Sequence, residues 1–147
     1  MANSFESRFS EYQAGMINVC LEYCQYKCDK VYVHIINGKD SVFTNFFFSI
    51  NGILRKKSNL GDSDATVSMP RQKEALKIVS DNAKKIYALF EEYKRPTPTE
   101  LKIVYDARSK GLKADYSYEP VVSADKPETA VTEAWFNEIG LTTILPS

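Results

Sequence analysis

The chain is poor in the residues that most enzymes and metal sites need. It has one histidine, His34, and three cysteines, Cys20, Cys24 and Cys28, in 147 residues. A structural zinc site takes about four ligands, and Cys20 and Cys24, four apart with Cys28 one turn on, supply too few. They are expected to be buried small hydrophobes, and no metal or cofactor is expected. There is no G-x-S-x-G, no H-E-x-x-H, no glycine-rich phosphate loop and no CxxC. No run of about 18 apolar residues exists, so no membrane span is expected. Residues 2–15 include Glu6, Arg8 and Glu11 and lack the apolar core of a signal peptide. With an odd number of cysteines this implies a reducing cytoplasmic setting. Charge of one sign is missing as well. Lys plus Arg and Asp plus Glu are 19 each, which argues against a dedicated nucleic-acid binder.

The balance hides an asymmetry. Residues 69–95 carry seven basic and four acidic groups, and residues 99–147 carry five basic and eight acidic groups. The two segments are net +3 and net −3. Two solvated faces of opposite sign account for this; an acidic surface that meets a basic partner is the sharper reading.

What is present is strong periodicity. Phe5, Phe9, Tyr12, Met16, Val19 and Tyr23 recur at helical spacing and predict a helix over 3–27, with Asn3 and Glu6 at capping-box spacing. Val31–Ile36 predicts a strand. Asn37-Gly38 predicts a tight turn into Val42–Ile50, a strand apolar on both faces and therefore central or covered on both sides. Asn51-Gly52 predicts a second tight turn into a strand at 53–57, followed by a polar loop from Ser58 to Ser68. Leu76, Val79, Ala83, Ile86, Phe90 and Tyr93 predict a helix over 69–94, with Pro70 in its first turn and Pro96 and Pro98 beyond its end.

The stretch from Pro98 to Gly140 alternates with period two over Leu101–Ala107 and again over Leu112–Tyr118. That pattern predicts a half-buried hairpin whose turn is Arg108–Gly111. Tyr116 and Tyr118 share the Leu112 side and are expected in the core, with a contact role as the alternative. Asp125-Lys126-Pro127 predicts the start of a short helix with an apolar face of Val131, Ala134, Trp135 and Ile139, stopped at Gly140. The uncharged tail, 141–147, is expected to pack down. The expected fold is a single α+β domain over 1–147, with a mainly antiparallel five-stranded sheet packed by helices in the order α-β-β-β-α-β-β-α.

Three chemistries remain to be weighed. His34 on a strand, with no partner carboxylate or nucleophile visible, is expected to be an ordinary packed or surface residue rather than a general base. Phe46-Phe47-Phe48 near Arg55-Lys56-Lys57 suggests a stacking platform for RNA, but the glycine and basic residue that such a strand requires are absent, so core packing is expected. A carboxylate pair drawn from Asp106, Asp115 and Glu119 depends on the fold. The expectation is a protein that works by binding and has no catalytic residues.

Four places carry a family resemblance. Met16-Ile17-Asn18 leads through a short polar run to Lys30-Val31-Tyr32. The second helix ends in Leu89-Phe90-Glu91-Glu92. The hairpin holds Asp115-Tyr116-Ser117-Tyr118. Trp135 precedes Ile139-Gly140 and then Leu145-Pro146. In order and spacing the chain resembles the YezG-like immunity proteins, antitoxins encoded beside secreted bacterial toxins. It departs from them in being neutral rather than acidic and in the longer segment, Leu141-Thr142-Thr143-Ile144, before its last proline. The resemblance implies a cytoplasmic inhibitor that binds a cognate toxin, often a nuclease, without catalysis of its own. Candidate contacts are Asp115 and Glu119 first, then Glu91, Glu92, Asp125 and Glu128. The alternatives are a small-ligand or enzymatic domain using a cleft, and a nucleic-acid module using Arg55, Lys56 and Lys57.

Overall fold

Strong β formers occupy Lys30–Asn37 (β1) and Val42–Ile50 (β2), and these pair antiparallel with Tyr32 opposite Phe47. At Asn51-Gly52 both residues take positive φ, 53° and 78°, which closes the tight turn into Ile53–Lys56 (β3). The computed structural model, which describes residues 4–38, 41–60, 67–123 and 125–144, adds Glu100–Asp106 (β4) and Gly111–Ser117 (β5) to the same sheet. The strand order is β3-β2-β1-β4-β5 and every pairing is antiparallel. Helices Phe5–Tyr23 (α1), Met69–Glu92 (α2) and Glu128–Ile144 (α3) complete the α+β fold in the expected order.

The three consecutive phenylalanines show how the layers form. Successive side chains on a strand point to opposite faces. Phe46 and Phe48 join the core under α1 and α2, touching the Tyr23 ring at 5.3 and 5.9 Å. Phe47 points the other way, to Tyr32 and Trp135. All three are buried, and β2 is covered on both faces as its composition implies. The deep layer holds Val31, Val33, Ile35, Leu101 and Ile103 from the sheet against Met16, Val79, Ile86 and Phe90 from the helices. Cys20, Cys24 and Cys28 pack there as buried free thiols, and burial pushes the Cys20 thiol up from its ordinary value.

Several boundaries differ from expectation. Ser4 caps α1, accepting a hydrogen bond from the Ser7 amide at 3.0 Å; the expected cap, Asn3, lies outside the described residues. The helix ends at Tyr23, not at 27. Gln25 takes φ 55°, its amide bonds the Glu22 carbonyl, and the Tyr26 amide bonds the Leu21 carbonyl. The same closure ends α2, where Lys94 takes φ 52°, its amide bonds Glu91, and the Arg95 amide bonds Phe90. Both are left-handed helix stops of the kind usually marked by glycine. The first Asn-Gly is not a two-residue turn. Asn37 pairs with Val42, and the Gly38 amide donates to the Ser41 carbonyl. A Cβ on Gly38 would lie 2.9 Å from that carbonyl oxygen, so the close approach requires glycine. Gly140 does not stop α3, which runs on to Ile144. Its φ is not positive, and a helical glycine costs only about 1 kcal/mol. Residues 61–66 of the polar loop, and 145–147 of the tail expected to pack down, lie outside the described residues. No helix among the described residues is long and apolar enough to cross a membrane.

Candidate functional site

The second face of the sheet, opposite α1 and α2, presents a mixed set of side chains. The registers place Tyr32 beside Phe47 and Val104, and His34 beside Asn45 and Lys102. Onto this face α3 lays Val131, Thr132, Trp135, Phe136 and Ile139. Trp135 is 7% exposed and meets the rings of Tyr32, Phe47 and His34 at 5.8, 5.2 and 5.0 Å. Ala134, expected on the apolar face, is exposed, and Phe136 takes its place against Phe47 at 5.1 Å. Lys102 and Lys56 lay their ammonium groups over Trp135 and Phe136 at 5.4 and 5.2 Å. Lys56 also pairs with Glu133 at 2.9 Å, tying β3 to α3.

At the centre of this interface is a polar trio that spacing along the chain does not reveal. His34 is fully buried. Its Nε2 lies 2.6 Å from Glu100 Oε2, and its Nδ1 lies 2.7 Å from Thr132 Oγ1. The bond to His34 holds the Glu100 carboxyl below its ordinary value, against the opposing effect of burial. His34 is therefore packed, as expected, but it does have a carboxylate partner, 66 residues away. Hydroxyl, imidazole and carboxylate in a row could serve nucleophilic chemistry. Here the hydroxyl belongs to Thr132, which is 5% exposed beside a cavity of about 90 Å³. The trio joins α3 to β1 and β4.

Beyond α3 the same face is open. Between α3 and the β4–β5 hairpin lies a groove of about 570 Å³. Its floor is Tyr32, Val104, Trp135 and Ile139, and its charged lining is Asp106, Asp115 and Glu138 with Lys30 and Lys113. The hairpin wall is held in shape by Asp106, whose Oδ1 accepts from the Arg108 and Ser109 amides at 2.9 and 3.2 Å. Lys110 at φ 61° completes the turn. Of the three acids whose pairing was left to the fold, Asp106 and Asp115 line this groove and Glu119 does not.

Of the six candidate contacts only Asp115 lies in this groove. Glu119 is exposed just past β5. Asp125 is exposed and Glu128 half-buried at the start of α3. Glu91 and Glu92 end α2, so the sheet stands between them and Asp115, and Glu92 is held by Arg8 at 2.6 Å. The expected core role of Tyr116 and Tyr118 is overturned. They are 43% and 52% exposed, because β5 is the sheet's edge and α1 reaches only the Tyr116 ring, stacked on Phe9 at 5.9 Å. Glu100, Thr132 and Glu138 were not among the sequence candidates. Arg55, Lys56 and Lys57 do not form a free basic patch: Lys56 is paired with Glu133, and Lys57 donates to Asn45 Oδ1 at 2.7 Å. Among the described residues no group of three or more His, Cys, Asp or Glu could hold a metal ion. No protein-family model matches the chain, and no curated protein matches it.

Proposed function

We propose that the chain is an immunity protein. It binds a cognate secreted nuclease toxin and neutralises it in the cytoplasm by direct contact. The observation that carries this reading is the open groove beside α3. An aromatic and aliphatic floor under three carboxylates and two ammonium groups suits an arginine or lysine side chain from a partner. The stem would lie on Trp135 and Val104, and the charged head would meet the acids. A nuclease presents basic groups to its substrate, and an acidic site opposite them speeds association. The family resemblance agrees in kind, and a specific complex of this sort buries roughly 800 Å² per partner.

The test is co-expression and co-purification with the product of the neighbouring gene. Binding at micromolar concentration or tighter is expected. Reversing a groove charge away from the hairpin, Glu138→Lys, is expected to weaken it by about tenfold or more. A neighbouring product that is no toxin, or one that fails to bind at micromolar concentration, removes the proposal.

A further inference from the structure

The outer edge of β5 is unpaired among the described residues, and its residue pattern is complementary to itself. The strand is seven residues long and contains no proline. Edges are normally blunted by proline, by bulges or by charged side chains that repel a neighbour, because open N–H and C=O groups template pairing. Here the charges are Lys113 and Asp115, of opposite sign and two residues apart. The Thr99 amide bonds the Ser117 carbonyl at 2.7 Å, so residue 117 turns its backbone groups toward β4. Alternation then turns those of 115 and 113 inward as well, and leaves those of Leu112, Ala114 and Tyr116 facing outward.

We propose that this edge pairs with the β5 edge of a second copy of the chain, antiparallel, about a two-fold axis at Ala114. In that register the outward backbone groups of Ala114 meet their own counterparts, and those of Leu112 meet those of Tyr116. Lys113 of each copy lies opposite Asp115 of the other. Leu112 and Tyr116, 42% and 43% exposed, lie side by side across the seam on the α1–α2 side and cover one another. Shifting the axis by one residue would set Lys113 opposite Lys113 or Asp115 opposite Asp115, which is unfavourable. The charges therefore select one register among those that the backbone allows. The axis runs perpendicular to the sheet, so like layers stay together and two five-stranded sheets become one continuous sheet. Asp115 also lines the groove, so each copy contributes Lys113 next to the site of the other.

Sedimentation equilibrium of the purified full chain tests this without any toxin, so its outcome is separate from that of the immunity reading. The parent is expected to dimerise with a dissociation constant of roughly 10–100 µM. K113E alone sets like charges opposite each other twice, and D115K alone does the same. Each is expected to raise the dissociation constant by about tenfold. The double variant K113E/D115K restores opposite charges and is expected to return to within about threefold of the parent. Ala114→Pro removes one outward amide and leaves the β4 pairing intact, and it is expected to be folded and monomeric. A parent that is monomeric at roughly 0.5 mM overturns the proposal. Single variants that dimerise like the parent, or a double variant as weak as the singles, overturn it too.

Discussion

The two faces of the sheet are built on different principles. The face under α1 and α2 is wide, closed and mainly apolar, with Phe46, Phe48, Ile35, Ile86, Leu101 and Ile103 all buried to within 1%, although it also buries Gln13, Thr44 and Gln72. The face under α3 has a small apolar patch, Tyr32, Phe47 and Trp135, and beside it a buried imidazole, carboxylate and hydroxyl. Apolar burial supplies stability without direction, whereas hydrogen bonds fix one arrangement and are costly when left unmade. The deep face is thus the source of stability, and the α3 face sets the position of one helix and leaves a groove at its side.

The largest expected effect breaks the deep face. Phe48→Ala should destabilise the whole domain by about 3–5 kcal/mol, because a fully buried ring leaves a cavity that close-packed neighbours fill poorly. Chemical denaturation followed by far-UV circular dichroism measures it, and one cooperative transition at lower denaturant is expected. Trp135→Ala, on the other face, should cost about 3 kcal/mol. The comparison is sharpened if amide exchange then rises chiefly in α3 while β1, β2 and α2 stay protected. Equal loosening of both faces would show that the two form a single cooperative unit.

The next effect is smaller and depends on pH. His34→Leu leaves Glu100 buried without its partner and should cost about 1–3 kcal/mol. Because the folded protein holds the Glu100 carboxyl below its ordinary value of 4.5, its contribution is present above that value. It is lost as pH falls through the lower folded value. Glu100→Gln should therefore narrow the stability gap to the parent as pH drops from about 6 toward 3. A gap independent of pH would show that the pair contributes nothing electrostatic.

The same contrast explains what the sequence made legible. Apolar periodicity reports a face that is covered, so the helices, the strands and the double-sided β2 could all be read. Asn51-Gly52 was legible because its turn needs two positive φ values, which that dipeptide supplies readily. The helix stops at Gln25 and Lys94 were not, since a left-handed residue other than glycine leaves no compositional mark. Gly140 misled for the converse reason, being a glycine at an ordinary helical position. Alternation placed Tyr116 and Tyr118 on the apolar side but could not show that β5 is an edge with little above it. His34, Glu100 and Thr132 are brought together only by the β1–β4 register and by the docking of α3, and each lies in a segment with no spacing signal of its own. Asp115 could be reached from the wet side of its hairpin, while Glu138 faces it only once α3 is in place.

The smallest effect separates the two faces by their polar groups. On the α3 face each member of the buried trio has a partner. On the deep face the Tyr87 hydroxyl is buried with no hydrogen-bond partner among the described residues. Burial pushes its titration well above the ordinary range. An unmet buried hydroxyl costs free energy in the folded state that the unfolded chain does not bear. Tyr87→Phe keeps the ring against Phe90 and removes the unmet group, so stability should be unchanged or rise by about 0.5–1 kcal/mol. Thr132→Val is the matched change on the other face. It also swaps a hydroxyl for an apolar group of similar size, but here it strands His34 Nδ1 and should cost about 1–2 kcal/mol. Opposite signs for these two near-isosteric changes would confirm that one face is held by burial and the other by paired polar groups. The same sign for both would dissolve the distinction.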